Sequence, residues 1–392
     1  MKKKIEYLLK HNRAIQFLYR HLVSLFFRFI GLFVKQDNKM VIFTSFGGRK
    51  YNDSPKILFE QMRDMDVFKD FKLIWAFENP DQFNISGAKT IKIDTFKYFI
   101  YCLKARVWIT SVNIERGLRF KKKKTFYINT WHGAGTKKIG NGCSGRKDYN
   151  FSNVDMLLVQ SNFEKEIFIK DFNCREDSIK IIGFPRNDQL FHQGAIDKDS
   201  VKKTLGIPKD KKVILYAPTW RDSIDGGLTY EVNPPIDIEY WKEKLSNDYV
   251  VLFRMHAFTT KFSMTYDSFA IDASNYENLN EILSITDLLV TDYSTIVYDS
   301  AVARIPFLCF GFDYEDYKKA RGFYFDLNEK YPHGVIFNEK DLINMILLLK
   351  DRTAFDYNYE SFRKNYIQAG GSSTNIVIDE IIKQLDLNSN LN

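Results

Sequence analysis

Two histidines and one arginine stand where chemistry is expected. His132 lies in Thr130-Trp131-His132-Gly133, and Arg254 and His256 lie in Phe253-Arg254-Met255-His256; each segment leaves an apolar run of β type. An imidazole titrates near neutral pH and can take a proton from a hydroxyl. A guanidinium offers a planar fork to phosphate oxygens. Arg254 and His256 sit two apart at a strand end, so both side chains reach one face, and a protonated His256 would neutralise a leaving phosphate. Beside His132, the small residues Gly133, Ala134 and Gly135 let the backbone approach a ligand closely. Thr136, Lys137 and Lys138 follow them, so one short run combines free N–H groups, a hydroxyl and two ammonium groups suited to phosphate.

Other segments have the same logic. Thr291-Asp292-Tyr293-Ser294-Thr295 passes from a strand into a helical stretch, Ile296 to Ala303, and its hydroxyls can cap that helix or bind an anion at its start. Pro218-Thr219-Trp220-Arg221 leaves another strand with Arg221 in reach of phosphate. Gly183-Phe184-Pro185-Arg186-Asn187-Asp188 reads equally well as a strand exit into an interdomain hinge. Glu281, early in a helix, either binds ribose hydroxyls or stays a solvated carboxylate. His11, His21, His192 and His333 are left to structure.

These loops need a scaffold that gathers strand ends, and an open parallel α/β sheet does so, binding ligands beyond the carboxyl ends of its strands. Seven β-type runs occupy the first half: 40–46, 71–77, 90–93, 105–111, 124–130, 156–159 and 179–183. Five more follow residue 212, at 213–218, 249–254, 269–271, 288–292 and 306–310. Helical stretches alternate with them, which predicts parallel sheets with right-handed crossovers. The expected fold is α/β, two Rossmann-like domains facing a central cleft in the GT-B arrangement. Residues 38–190 form the acceptor half and 191–392 the donor half. There is no GxGxxG and no Walker A sequence, which removes the main support for dinucleotide oxidoreductases and P-loop kinases.

Charge is concentrated at one end. Residues 1–35 hold eight Lys and Arg against Glu6, which is +7 of the formal +8 of the chain. Nucleic-acid binding spreads its charge over a folded face, so it is set aside. The apolar run Leu22–Val34 has 13 residues and contains Arg28; a membrane span needs about 20. Residues 1–37 therefore read as amphipathic helices in an anionic membrane surface, with apolar faces of Ile5, Leu8, Leu9 and then Phe26, Phe29, Ile30, Phe33, and with Lys and Arg toward the headgroups. Cys102, Cys143, Cys174 and Cys309 show no CxxC spacing, which fits a reducing compartment and offers no zinc site.

Taken together, the ordered segments resemble the CDP-glycerol glycerophosphotransferases, the teichoic acid primases and polymerases of Gram-positive bacteria. The matching positions are Trp131-His132-Gly133 with Lys137-Lys138, Gly183 to Asp188, Ala217 to Arg221, Arg254-Met255-His256, Thr291 to Thr295, and Pro306-Phe307 leading to Arg321-Gly322-Phe323. The resemblance implies a peripheral enzyme on the inner face of the plasma membrane, with no cofactor or metal in its chemistry. It also implies CDP-glycerol as donor and an undecaprenyl-diphosphate-linked acceptor. His132 would be the general base. Arg254 and His256 would stabilise the diphosphate and the leaving CMP, with Gly133, Pro218, Thr219, Arg221, Asp292, Ser294, Thr295 and Glu281 on the donor side. Gly135, Lys137 and Lys138 would border the acceptor. Many polymerases of this family carry Thr-Pro-Leu after the His-Gly, whereas Ala134-Gly135-Thr136 follows here. Acceptor identity, a CDP-ribitol donor, a GT-B glycosyltransferase using a nucleotide sugar, and homo-oligomerisation all stay open.

Overall fold

The computed structural model describes residues 13–133, 135–144, 146–192, 194–219, 235–255, 267–350 and 356–387. The first sheet holds β1 (Asp37–Thr44), β2 (Lys72–Phe77), β3 (Lys89–Lys92), β4 (Ala105–Thr110), β5 (Phe126–Asn129), β6 (Met156–Val159) and β7 (Ile179–Ile181). The second holds β8 (Lys212–Ala217), β9 (Tyr249–Phe253), β10 (Ala270–Asp272), β11 (Leu288–Thr291), β12 (Phe307–Phe310) and β13 (Val335–Ile336). Every pairing is parallel, in the orders β3-β2-β1-β4-β5-β6-β7 and β10-β9-β8-β11-β12-β13. Both repeat the doubly wound pattern in which strand order reverses beside the first strand. The expected strands are all present, and β13, two residues long, is additional.

The strand sequences account for this burial. Val213 to Ala217 and Tyr249 to Phe253 are buried at every position, as β-branched and aromatic runs must be when helices cover both faces of a parallel sheet. Val41, Phe43, Trp75 and Phe77 fill one face of the first sheet; Ile42, Trp108 and Tyr127 fill the other. All four cysteines are buried and unbridged.

Two features were not legible from local pattern. The last helix, Ser373–Gln384, belongs spatially to the first sheet, where Val377, Ile378, Ile381 and Ile382 join Val41, Phe59 and Trp75 in one core. Asp188 receives it: its carboxylate accepts from the N–H groups of Ser373 (3.0 Å) and Thr374 (2.7 Å) and from the Thr374 hydroxyl (2.7 Å). Side by side with that return, Gly183 lies so close to Gly370 that a Cβ would stand 2.7 Å from its Cα.

The second lies in the expected N-terminal helix: the 21-residue helix Arg13–Phe33 has two apolar faces where one was expected. Val23, Phe27, Ile30 and Val34 pack on the first core, with the Phe27 ring 4.5 Å from Phe99 and 5.8 Å from Phe120. Leu18, Leu22, Leu25, Phe26, Phe29, Leu32 and Phe33 form a stripe open to solvent. Ile30, expected on the membrane face, therefore lies on the protein side. Nor do all the arginines turn toward headgroups: Arg20 pairs with Asp148 at 3.3 Å and Arg28 donates to the Arg119 carbonyl at 2.7 Å. Ile5, Leu8 and Leu9 lie outside the described residues. Among the described helices none is long and apolar enough to cross a membrane.

Replacing Asp188 by Ala removes the cap of the returning helix. The loss of such a cap is worth about 1–2 kcal/mol; the expected outcome is faster amide exchange across residues 373–384 than across β1, read by hydrogen-exchange mass spectrometry.

Candidate active site between the two sheets

The carboxyl ends of β1, β4 and β5 meet at Ser111. Its carbonyl lies 2.7 Å from His132 Nδ1, while its hydroxyl accepts from the Phe46 N–H at 3.1 Å. A carbonyl only accepts, so Nδ1 carries the proton and Nε2 keeps its lone pair. Trp131 has the left-handed φ of +49° that bends the chain out of β5, and its N–H donates to Asn129 Oδ1 at 2.9 Å. The imidazole is held between two rings, Trp131 at 4.5 Å and Phe46 at 5.2 Å between centroids. Desolvation in this aromatic slot lowers its pKa below the ordinary value. The Ser111 carbonyl and Asp53 act in the opposite sense, and Arg186 and Arg49 reinforce the lowering. His132 is thus a neutral base with one committed proton at physiological pH.

The second sheet contributes the loops after β8, β9 and β11. Arg254 donates through Nη1 to the carbonyls of Ala273 (2.9 Å) and Tyr276 (2.7 Å), which leaves the other edge of its fork without a partner among the described residues. Glu281 accepts from the Tyr276 hydroxyl and from Asn278 Nδ2 (2.9 Å), so it braces the turn that holds Arg254. Asp292 is 2 % exposed and accepts from the N–H groups of Thr219 and Tyr293, both at 2.6 Å. Its carboxylate ties the β8 and β11 exits together instead of facing solvent, and Pro218 and Thr219 are held by that tie. Ser294 Oγ accepts from the Ile296 N–H at 3.4 Å. The following helix, Ile296–Val302, has seven residues, so anion binding here rests on the hydroxyls more than on a helix dipole. His256, Arg221 and Ala134 lie outside the described residues.

The loops of the two halves touch. Gly133, at φ +112°, leaves room for Thr295: a Cβ there would stand 3.1 Å from Thr295 Oγ1. Gly135, at φ +124°, abuts Tyr298, whose hydroxyl would lie 2.5 Å from a Cβ. Thr136 is buried with its hydroxyl 3.0 Å from the Tyr331 hydroxyl, and its carbonyl accepts from the Tyr324 N–H at 3.1 Å. Lys137 bridges Phe323 in antiparallel fashion, and the Lys138 N–H donates to the Gly322 carbonyl at 3.0 Å. Through its backbone the run expected to border the acceptor also links the two halves, and Lys138 is exposed.

One set of residues was missed from sequence. Gly47-Gly48-Arg49-Lys50 leaves β1, an interior strand beside the point where strand order reverses, and desolvation followed by the charges of Arg254 and Arg49 lowers the pKa of the Lys50 ammonium. Neither Arg49 nor Lys50 has a carboxylate partner among the described residues. Cations from opposite halves that repel one another mark a place where an anion is wanted. The glycine turn at that strand end was the available signal. Arg186 was read only as part of a hinge; it pairs with Asp299 of the second half at 3.0 Å and Asp53 of the first at 3.4 Å. Among the described residues, no cluster of His, Cys, Asp and Glu could hold a metal ion. A cavity of about 640 Å³ opens between residues 328–335 and 357–366, and none of the candidate residues lines it.

Comparison with known proteins fits this geometry. The model of the family described as CDP-glycerol:poly(glycerophosphate) glycerophosphotransferase matches residues 25–383. This chain belongs to that family. It is 32% identical to a teichoic acid poly(glycerol phosphate) polymerase of Bacillus spizizenii, over 96% of this chain and 99% of that one. A second such polymerase, from Staphylococcus epidermidis, is 34% identical over 78% of this chain, which spans 45% of that relative's length. A structure of the wall teichoic acid polymerase TagF soaked with CDPG superposes with a TM-score of 0.80 at 30% identity, covering 97% of this chain and 98% of that one.

A charge-assisted hydrogen bond contributes about 1.5–3 kcal/mol. Replacing Lys50 or Arg254 by Ala is therefore expected to weaken binding of inorganic diphosphate by about tenfold or more, measured by calorimetry at fixed salt. Unchanged affinity in both variants would remove them from the anion site.

Proposed function

We propose that this chain transfers glycerol phosphate from CDP-glycerol to the terminal hydroxyl of an undecaprenyl-diphosphate-linked teichoic acid acceptor. The observation that carries the reading is His132, with its Nδ1 proton committed to Ser111 and Nε2 free, on a loop beside one that presents Lys50 toward Arg254. In this reading the acceptor oxygen attacks the β-phosphorus and its proton passes to Nε2. The bond from that phosphorus to the bridging oxygen breaks, and the electron pair leaves with CMP. Arg254 and Lys50, with Ser294, Thr295, Arg221 and His256, stabilise the oxygens that gain charge. In-line positioning and charge neutralisation supply most of the acceleration. Asp292 and Glu281 act by holding loops, and Gly133 by letting Thr295 approach.

The two facing doubly wound sheets support a GT-B description, with the acceptor on the first half and the donor on the second. The solvent-facing stripe on Arg13–Phe33 supports peripheral attachment at the inner membrane face, where a lipid-linked acceptor ends. Each large apolar side chain taken out of water contributes on the order of 1.5–3 kcal/mol, so partial insertion of the seven described here would hold the enzyme to a bilayer.

Incubation with CDP-glycerol and a lipid-linked acceptor should release CMP and add stepwise glycerol-phosphate masses. Addition of ribitol phosphate from CDP-ribitol would reassign the donor, and CMP from neither would overturn the reaction. General-base loss costs about 10²–10⁴-fold, so His132→Ala should bind CDP-glycerol normally and turn over at about 1% or less of the wild-type rate. For the membrane, Leu22→Glu with Phe29→Glu should abolish sedimentation with anionic liposomes. Undiminished sedimentation of that folded variant would rule out this face as the anchor.

A further inference from the structure

The turn that follows β7 is gripped from both halves at once. Arg186 is nearly buried, with Nη1 3.4 Å from Asp53 Oδ1 and Nη2 3.0 Å from Asp299 Oδ1. Its backbone N–H donates to Ser54 Oγ at 3.3 Å, and its carbonyl accepts from Asn280 of the second half. The neighbouring Asn187 donates to the same Asp299 oxygen at 2.6 Å. Burial opposes the charge of the guanidinium, but Asp299 and Asp53 outweigh that and hold it protonated. The aromatic ring of Phe184 closes over it at 4.7 Å.

The fork of Arg186 also reaches the catalytic loop. Its Nη2 lies 3.8 Å from where a side chain would begin on Gly133, the residue after His132. Resting on the assignment of His132 as the base, we infer that Arg186 is a positioning residue for it: one fork, clamped by a carboxylate from each half, holds the His132 loop in its working place and sets the charge beside it. The charged groups facing the imidazole are Asp53 at the start of the helix after β1, Arg49 in the β1 exit, and Arg186 itself. Asp299 acts through Arg186.

Loss of the guanidinium and loss of the Asp53 carboxylate make opposite-sign predictions. Arg186→Gln removes a positive charge and leaves two carboxylates uncompensated, so the titration midpoint of His132 should rise by on the order of one pH unit. Asp53→Asn removes a negative charge, and the midpoint should fall. Arg186→Lys restores the charge without the fork: its midpoint should stay near wild type while kcat drops about tenfold or more and the KM for CDP-glycerol changes little. The measurement is the imidazole ¹⁵N shift against pH on the full chain, with the His132 signal identified by its absence in His132→Ala, and it needs no turnover. Midpoints that stay put, or move in the same direction in the Gln and Asn variants, would reduce Arg186 to a strut. If Arg186→Gln fails to fold, Asp53→Asn and Arg186→Lys decide alone. Failure of the wild type to release CMP would overturn the assigned reaction without altering the titration result.

Discussion

A guanidinium buried between two carboxylates can be satisfied only when both carboxylates arrive. Arg186 lies on the segment joining the sheets, and its two partners come from opposite halves. Removing one partner of such a buried set costs about 3–5 kcal/mol, far more than an exposed pair. The relative placement of the halves is therefore not left to soft apolar contact. Once it is fixed, Gly133 meets Thr295, Gly135 meets Tyr298 and Thr136 reaches Tyr331. Each of those contacts tolerates little displacement, because two of the residues lack a Cβ for the sake of closeness.

Within that frame the base and the cations are kept in different surroundings. His132 sits in an aromatic slot with its tautomer set by a carbonyl, so it stays neutral. Among the described residues neither Arg254 nor Lys50 meets a carboxylate, and burial together with the charge of Arg254 disfavours the Lys50 ammonium. An anion bound between them would offset that cost. Asp292 accepts from two backbone N–H groups, and Glu281 from a phenol and an amide.

What could be read from the sequence follows the range of the interactions. Strands such as Val213 to Ala217 are legible because burial on both faces demands an unbroken apolar run. His132 and Arg254 are legible because a parallel sheet collects such residues where its strands end. Val335-Ile336 is too short to leave a pattern. The helix Ser373–Gln384 is amphipathic wherever it packs, and nothing local says that its partner is the first sheet. The same holds for the backbone of Lys137 and Lys138, whose pairing with Phe323 and Gly322 comes from residues far away in the chain. The tie that Asp292 makes to Thr219 is hidden for a related reason, since a carboxylate beside hydroxyls reads the same whether or not an amide from another strand meets it.

The chain crosses between the halves at two places that lie together, at residues 183–188 and again at 368–373. Gly183 and Gly370 pass almost in contact, with Asp188 fastening the second crossing to the first. A single linker would let one body swing and slide freely about the other. Two strands of backbone pinned at the same point behave as a knuckle with one axis, stiff to translation and compliant to rotation. Any relative movement of the halves must then be smallest at this crossing.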